Sequence, residues 1–271
     1  MRLLDKVAVI TGAASGVGRA TSLLFASEGA TVVCVDIDDA LGEETAALVA
    51  KRGGKATYVH ADMGDEHAVQ RMAAACIARH PSIHVLFNNA GVLIRDAFGA
   101  IRLEDWNRML AVNLTGPYLC STALLPALQA AGGASIIHHG SVDGTFGNPY
   151  AASYSVAKGG LVPLTHVMAH TLAPHRIRVN CISSAGLYTS RQGIPVRLAP
   201  ELRSGAPHGI PSRIGVTPLA RPGFVEECAA AALFLASEDS SYMTGSVLTV
   251  DGGRTSITPG TGAPPAHWAQ G

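Results

Sequence analysis

The chain has 271 residues, of which 48% are hydrophobic and 15% are charged, a composition that excludes a disordered protein and suits a folded domain with a sizeable core. Its 20 Lys and Arg residues balance its 20 Asp and Glu residues, so no net field would attract nucleic acid or an anionic membrane, and we expect neither partner.

Short β-branched apolar runs alternate with Ala- and Leu-rich amphipathic stretches along the chain. The predicted strands are residues 7–11, 31–36, 56–60, 85–88, 135–139, 178–182 and 247–250. The predicted helices are residues 17–28, 41–51, 66–79, 103–131, 153–172 and 225–237. Apolar strands separated by helices indicate βαβ crossovers. We therefore predict an α/β fold, a single Rossmann-type doubly wound parallel sheet of about seven strands with helices on both faces.

Three glycines follow the first predicted strand, namely Gly12, Gly16 and Gly18. The first permits a sharp turn, the second lets the backbone approach a pyrophosphate, and the third lets the next helix pack closely on the strand. The N–H groups at that helix terminus favour phosphate. The turn predicts a dinucleotide site that includes Ser15 and Val17, although an ordinary tight turn also accounts for the glycines.

The second predicted strand ends at Asp36, 18 residues after Gly18. A carboxylate at this place accepts hydrogen bonds from the adenosine ribose and repels a 2′-phosphate. No Arg or Lys occurs between residues 11 and 18, or beside Asp36, to neutralise such a phosphate. We therefore expect NAD rather than NADP, bound by Asp36 and Ile37. The alternative is that Asp36 only caps the turn before the second helix.

Tyr154 and Lys158 are four residues apart in a predicted helix and so share one face. A free tyrosine has a pKa of about 10 and is a poor base at neutral pH. A lysine one turn away favours the phenolate, and a bound nicotinamide cation adds to that effect. The spacing suits acid–base chemistry, but it is frequent in ordinary helices.

Taken together, these motifs resemble the core branch of the short-chain dehydrogenase/reductase family. The matching set comprises the turn at 11–18, Asp36, Asp62, residues 88–91, Asn113, Ser141, Tyr154 with Lys158, residues 178–180 and residues 251–253. They follow the order and spacing of the family from about residue 4 to residue 253. The resemblance implies a homotetrameric NAD-dependent dehydrogenase that moves a hydride between an alcohol carbon and the nicotinamide ring.

The resemblance also implies a role for each matching residue. Tyr154 would exchange a proton with the substrate oxygen, and Ser141 would stabilise the charge on that oxygen. Lys158 would bind the nicotinamide ribose and lower the pKa of Tyr154, and Asn113 would hold a water molecule that relays protons from Lys158. The other implied cofactor contacts are Asp62, Met63, Asn89, Ala90, Gly91, Gly186 and Thr189.

Residues 186–224 contain six prolines and five arginines, and we predict a substrate loop there, an exposed loop with solvated arginines being the alternative. The family usually has a proline at the place of Ala185, so the sequence does not establish whether this loop is rigid. We expect one domain over residues 1–253 that includes the loop. Residues 254–271, rich in Thr, Pro and Gly, are predicted to form an irregular extension.

The substrate is expected near Ser141 and Tyr154. Apolar residues near these positions indicate an apolar, cyclic or aromatic alcohol or ketone, and they are Val142, Phe146, Tyr150, Leu187 and Tyr188. Asp143 and Asn148 are polar exceptions suited to a second hydroxyl group. We therefore predict substrate contacts by Ser141, Asp143, Asn148, Tyr154 and Tyr188.

Several other features of the sequence allow a different interpretation. His166 and His170 have the spacing of a zinc pair but lack the glutamate between them, so we predict no metal. His138 and His139 are open to a structural or a functional role. A catalytically silent nucleotide-binding scaffold is disfavoured because the Ser, Tyr and Lys are all present. An NADP-dependent ketoreductase for carrier-bound acyl chains is disfavoured by Asp36.

Five cysteines are spread singly through apolar runs, as expected of buried reduced thiols in a cytoplasmic protein. Charged residues follow Met1 too soon for a secretory signal, and no apolar stretch is long enough to span a membrane. We therefore expect a cytoplasmic location.

Overall fold

The computed structural model describes residues 1–95, 98–188, 217–219 and 221–256. Its strands are β1 (Val7–Thr11), β2 (Thr31–Asp36), β3 (Lys55–His60), β4 (Val85–Asn88), β5 (Ala134–Ser141), β6 (Ile177–Ser184), β7 (Leu187–Tyr188), β8 (Gly223–Phe224) and β9 (Val247–Val250). Seven of them form a parallel sheet in the order β3-β2-β1-β4-β5-β6-β9, and β7 pairs with β8. The predicted α/β fold with a doubly wound sheet is confirmed.

Helices cover both faces of this sheet. They are α1 (Gly16–Ser27), α2 (Asp39–Lys51), α3 (Glu66–Arg79), α4 (Leu103–Leu110), α5 (Gly116–Ala123), α6 (Leu125–Ala130), α7 (Asp143–Phe146), α8 (Ala152–Leu172) and α9 (Val225–Ala236). Val9 of β1 packs in a core with α3, α5 and α8, whereas its neighbours Ala8 and Ile10 pack in a core with α1 and α9. Because successive strand residues point to opposite faces, a continuous apolar run serves both cores.

The predicted single helix over residues 103–131 is wrong. The segment divides into α4, a π-helical turn (Ala111–Thr115), α5 and α6. Pro117 and Pro126 lie in the first turns of α5 and α6, where a missing N–H is tolerated. Pro117 cannot donate to the carbonyl of Asn113, so the regular helical ladder is interrupted there. The consequence is a π-helical turn with Asn113 at its centre.

The strand order changes direction beside β1, because β2 continues the sheet on one side and β4 on the other. In doubly wound sheets, ligands bind outside the carboxyl ends of the strands at this place. β5 and β6 both extend beyond their predicted ends, to Ser141 and Ser184, and these two residues are paired in register. The carboxyl ends of β1, β4, β5 and β6 thus meet along one edge.

All five cysteines are buried and free, as predicted. Within the described ranges, no helix has both the length and the apolar character needed to cross a bilayer.

Candidate active site

The turn after β1 is shaped by its glycines. Gly12 and Gly16 have positive φ angles of 68° and 54°, a conformation that glycine adopts without strain. A Cβ atom on Gly12 would lie 2.8 Å from the Cα of Ala90, so the turn and the segment after β4 touch. A Cβ atom on Gly18 would collide with the carbonyl of Gly12. Gly18 therefore brings α1 against the turn, as the motif predicts.

The amino end of α1 is suited to an anion. Ser15 precedes the helix, and among the described residues its side chain makes no capping hydrogen bond and no acidic residue occupies the first turn. The first N–H groups of a helix have no partner within the helix and carry partial positive charge. These donors face the cavity that Ser15, Gly16 and Val17 help to line.

Asn89 and Thr11 join the turn to the end of β4. The Thr11 hydroxyl oxygen accepts hydrogen bonds from the N–H groups of Asn89 and Ala90, both at 3.0 Å. The Asn89 amide in return donates to the carbonyl oxygens of Thr11 and Gly12, at 2.9 and 3.2 Å. The two strands at the switch point of the sheet are thereby held in register at their carboxyl ends.

Asp36 ends β2 and faces the same cavity. Its carboxylate accepts from the N–H groups of Ala14 at 2.8 Å, Ile37 at 2.8 Å and Asp38 at 3.1 Å. The negative charge is therefore fixed in position by backbone donors on both sides. The N-cap of α2 is Asp38, and the partners of Asp36 lie in the glycine turn as well as in the next loop, so Asp36 is not simply a cap of the second helix.

Asp62 also lines the cavity and is paired with Arg108, whose Nη1 lies 2.9 Å from Oδ2. Burial alone raises the pKa of Asp62. The hydrogen bonds from Arg108 and from the Gly64 N–H outweigh burial, and the pKa is lowered overall. Asp62 is therefore an ion-paired carboxylate at the edge of the cavity.

Nearly all the predicted cofactor residues come together around this one cavity. They are Gly12, Ser15, Gly16, Val17, Asp36, Ile37, Asp62, Met63, Asn89, Ala90, Gly91, Tyr154, Lys158 and Gly186. Gly18 lies beneath the turn instead, and Thr189 lies outside the described residues. The arrangement fits a dinucleotide, because a glycine cradle and helix donors lie at one end and the Tyr154–Lys158 pair at the other.

The predicted catalytic residues converge around the second end of the cavity, which Tyr154 and Lys158 line, while Ser141 lines an adjoining cavity that shares Tyr154. Ser141 ends β5, Tyr154 and Lys158 project from α8, and the Ser141 hydroxyl is near enough to the Tyr154 phenol to oppose the rise in its pKa. Lys158 is buried, and its Nζ donates to the carbonyl oxygen of His139 at 2.6 Å and lies 5.7 Å from the centre of the Tyr154 ring. Two elements of different type thus bring a hydroxyl, a phenol and an amine together.

Asn113 reaches this group from the π-helical turn. Its amide nitrogen donates to the carbonyl oxygens of Val92 and Met109, both at 3.0 Å, and its Oδ1 is buried without a partner among the described residues. A Cβ atom on Gly91 would lie 2.8 Å from that Oδ1 and 3.5 Å from Nζ of Lys158. Gly91 therefore keeps open the space between Asn113 and Lys158.

The groups that surround Tyr154 raise the pKa of its phenol. Burial raises the pKa of Tyr154, the hydrogen bond with Ser141 lowers it in part, and the charge of Asp143 raises it further. The ammonium group of Lys158 is directed at the His139 carbonyl oxygen, and the pKa of Tyr154 is raised overall despite that nearby charge. Burial also lowers the pKa of Lys158 to about 8, although the Cys181 and Cys228 thiols oppose the change. The protein groups together raise the pKa of Tyr154, and the lowering expected from Lys158 stays a prediction.

A second cavity adjoins the first and shares Tyr154, Ser184 and Gly186 with it. It brings together the predicted substrate residues Ser141, Asp143, Asn148, Tyr154 and Tyr188, together with Val142 and Leu187. Phe146 and Tyr150, which the sequence analysis also placed near the substrate, are 62% and 61% exposed and do not line it. They follow the catalytic serine closely in sequence, but α7 and the next turn direct them to solvent.

Sequence reasoning missed several charged residues of this second cavity. Arg221 and Glu227 form an ion pair at 2.6 Å, and Glu227 also accepts from the N–H of Phe224 at the start of α9. Arg95 and Arg254 line the cavity as well. These four charged residues are mostly far apart in sequence. Only Arg221 and Glu227, six residues apart, are close enough for the sequence to suggest that they pair.

A doubly wound sheet with a glycine-rich phosphate turn, beside a serine, a tyrosine and a lysine, defines the class of dinucleotide-dependent oxidoreductases. A family model described as enoyl-(acyl carrier protein) reductase matches residues 12–255. The chain is 41% identical over 263 residues to the uncharacterized oxidoreductase YxbG of Bacillus subtilis, covering 95% of this chain and 93% of that protein. It belongs to the short-chain dehydrogenase/reductase family, whose members use a nicotinamide dinucleotide and act on CH–OH donors.

Two further relatives have names that state an activity. The chain is 37% identical over 257 residues to the 3-oxoacyl-(acyl-carrier-protein) reductase FabG of Thermotoga maritima, covering 93% of this chain and 99% of that protein. It is 34% identical over 263 residues to the trans-4-hydroxycyclohexanecarboxylate dehydrogenase of Sinomonas cyclohexanicum, covering 94% of each. These similarities confirm that the resemblance to the family extends over nearly the whole chain.

Proposed function

We propose that the protein is a cytoplasmic, homotetrameric dehydrogenase that transfers a hydride between NAD(H) and a secondary alcohol or ketone. The observation that carries the choice of NAD is the Asp36 carboxylate, which lines the cofactor cavity and is held by three backbone N–H groups. A 2′-phosphate beside this fixed negative charge would be repelled, whereas ribose hydroxyls can donate to it.

Two arginines near this end of the cavity already have carboxylate partners. Arg19 is paired with Glu44 at 2.9 Å and donates to the carbonyl oxygen of Ala14. Arg108 is paired with Asp62. Both guanidinium groups are thus already engaged by carboxylates, which supports the preference for NAD.

Each residue at the Tyr154–Lys158 end of the cavity has a distinct role in this proposal. When bound, the nicotinamide ring accepts or supplies the hydride. Tyr154 passes a proton between its phenol oxygen and the substrate oxygen, and the Ser141 hydroxyl binds that oxygen as its charge develops. Lys158 holds the nicotinamide ribose, and with a pKa lowered to about 8 it can exchange a proton near neutral pH. Asn113 Oδ1 faces the same space and would accept from a relaying water molecule.

Asp143 and Asn148 suggest a second polar group on the substrate. The Asn148 amide donates to Oδ2 of Asp143 at 3.0 Å, and both side chains line the cavity that contains Ser141 and Tyr154. A hydroxyl group near the reacting carbon could donate to this carboxylate. The similarity to a dehydrogenase named for a hydroxylated cyclohexane ring supports a cyclic alcohol.

Replacement of Tyr154 by Phe tests the proposal. With NAD and a panel of cyclic secondary alcohols, we expect kcat to fall by about 10²- to 10⁴-fold, because the proton-transfer group is lost. The NAD dissociation constant, measured by calorimetry, should stay within a few-fold. Phe146→Leu, at an exposed aromatic outside the cavities, is the matched control. Full turnover in Tyr154→Phe would contradict the proposed mechanism.

A second candidate is an acyl-chain ketoreductase, which the similarity to the 3-oxoacyl-(acyl-carrier-protein) reductase favours. It is separated from the first by comparing the affinities for NADH and NADPH and the activity on a 3-oxoacyl thioester. A clear preference for NADPH would overturn the choice of NAD.

A further inference from the structure

His139 has a defined place between the two cavities that the proposed reaction does not use. It lies near the carboxyl end of β5 and is one of the residues that line the cofactor cavity. Its Nδ1 is 2.8 Å from Oδ1 of Asn89, and its Nε2 is 3.0 Å from Oγ of Ser184. The ring also stacks on Phe87, with the centres 5.9 Å apart. The imidazole is thus held at both nitrogens and on one face.

The partners determine which ring nitrogen carries the hydrogen. The Asn89 amide nitrogen faces the carbonyl oxygens of Thr11 and Gly12, so the atom that faces His139 is the amide oxygen, an acceptor. Nδ1 of His139 must therefore be the donor. Nε2 is then free to accept from the Ser184 hydroxyl, and the Cys228 thiol lies 3.7 Å from the same nitrogen. The ring is a neutral Nδ1–H tautomer.

The imidazole of His139 stays uncharged at neutral pH. Burial and the charge of Lys158 lower the pKa of His139 to about 3. A positive charge on the His139 ring would be repelled by the ammonium group of Lys158, which already binds the His139 carbonyl oxygen. The same two hydrogen bonds therefore persist over the pH range in which a dehydrogenase would work.

The ring connects two functional regions. On one side, Asn89 is bonded to the glycine turn expected to hold the phosphates. On the other, Ser184 borders both cavities, is paired in register with Ser141, and its carbonyl oxygen accepts from the N–H of Val142 at 3.0 Å. The imidazole therefore links Asn89, which is bonded to the glycine turn, to Ser184, which borders both cavities.

We propose that His139 is a positioning residue. It fixes Ser184, at the carboxyl end of β6, relative to the glycine turn after β1, and so orients the nicotinamide half of the cofactor toward Tyr154. The inference rests on the proposed nicotinamide site. Without the ring, Asn89 keeps its bonds to Thr11 and Gly12, whereas Ser184 loses its partner. The defect should therefore affect the nicotinamide half of the ligand and spare the adenosine half.

The experiment compares ADP-ribose, which lacks the nicotinamide, with NADH. In His139→Leu and in Ser184→Ala, the dissociation constant of ADP-ribose should change less than about threefold, whereas that of NADH should rise by about tenfold, the scale of one lost hydrogen bond. The double variant should resemble the single ones, because both remove the same bond. His138→Asn is the matched control, since His138 is the next residue of β5, is buried, and does not line either cavity.

Nitrogen NMR of histidine-labelled protein gives a readout that does not involve the cofactor, and it should show the Nδ1–H form for His139. Protonation at Nε2 instead would overturn the proposal. So would an equal loss of affinity for both ligands, or single-variant effects that multiply in the double variant. If His139→Leu fails to fold, Ser184→Ala removes the same bond and decides the question. Wild-type protein that binds neither ligand would overturn the proposed function, and this inference with it.

Discussion

Asp143 places a negative charge close enough to Tyr154 to raise the pKa of the phenol, after the larger effect of burial. The carboxylate is also tied to Asn148, which closes the turn after α7. A charge that disfavours the phenolate slows proton removal from an alcohol unless the substrate supplies a donor to that carboxylate. We therefore expect Asp143 to couple recognition of a second hydroxyl to the proton affinity of the Tyr154 phenol.

Asp143→Asn tests this coupling. Loss of the charge should lower the pKa of Tyr154, so the rise of alcohol oxidation with pH should move downward by about half a unit or more. A cyclic diol should lose its advantage over the corresponding mono-alcohol in kcat/KM. Asp143→Glu, which keeps the charge, is the control. An unchanged pH profile in Asp143→Asn would exclude the coupling.

At the scale of elements, the strands were predictable because buried parallel strands are uninterrupted β-branched runs, as in Val7–Thr11 and Thr31–Asp36. Pro117 and Pro126 indicate that the long helix is interrupted, but the periodic apolar pattern across them predicts a single helix. The β7–β8 pair could not be foreseen, since its two-residue strands are joined only by tertiary contact. The site was predicted from motif order, whereas the partners of His139 depend on side chains from β4, the residue after it, β6 and α9.

Gly91 links two of these elements, the segment after β4 and the π-helical turn. In Gly91→Ala, the new methyl group would lie 2.8 Å from Oδ1 of Asn113, closer than real contacts allow, and would fill the space toward Lys158. We expect kcat to fall by about tenfold or more, because a shift of catalytic groups by a fraction of an ångström disturbs the reacting geometry. Steady-state kinetics with NAD provide the measurement.

The control for this substitution is Gly133→Ala. A Cβ atom at Gly133 would meet nothing within 4 Å, and the residue precedes β5 at the opposite end of the sheet. Its activity should equal that of the wild type. Equal activity in Gly91→Ala and Gly133→Ala would show that the space beside Asn113 is not needed.

At the scale of the whole molecule, the core contains uncharged histidines that an unfolded chain would protonate. His138 is completely buried, and burial and then the charge of Lys158 lower its pKa from 6.5 to about 4. For His139 the same two causes lower the pKa from 6.5 to about 3. Between pH 6.5 and these lower values, the unfolded chain binds more protons than the folded one. The stabilisation is present above pH 6.5 and is lost as the pH falls.

Urea unfolding at a series of pH values measures this loss. From pH 7 to pH 5, each histidine should reduce the free energy of unfolding by roughly 2 kcal/mol. In His138→Asn, the dependence on pH should become flatter by about that amount, since one of the two protonation sites is absent. A His138→Asn curve parallel to that of the wild type would contradict the assignment of His138 as a buried neutral group.

The buried thiols have a practical consequence for following the protein in solution. Burial raises the pKa of Cys34 and Cys181 to about 11 and that of Cys76 and Cys228 to about 12, and it also raises the pKa of Cys120. Alkylating dyes react with thiolates, so the folded chain offers them no competing target among its own five cysteines. A cysteine introduced on the surface would accept a fluorophore at a single chosen point, with the native residues left in place.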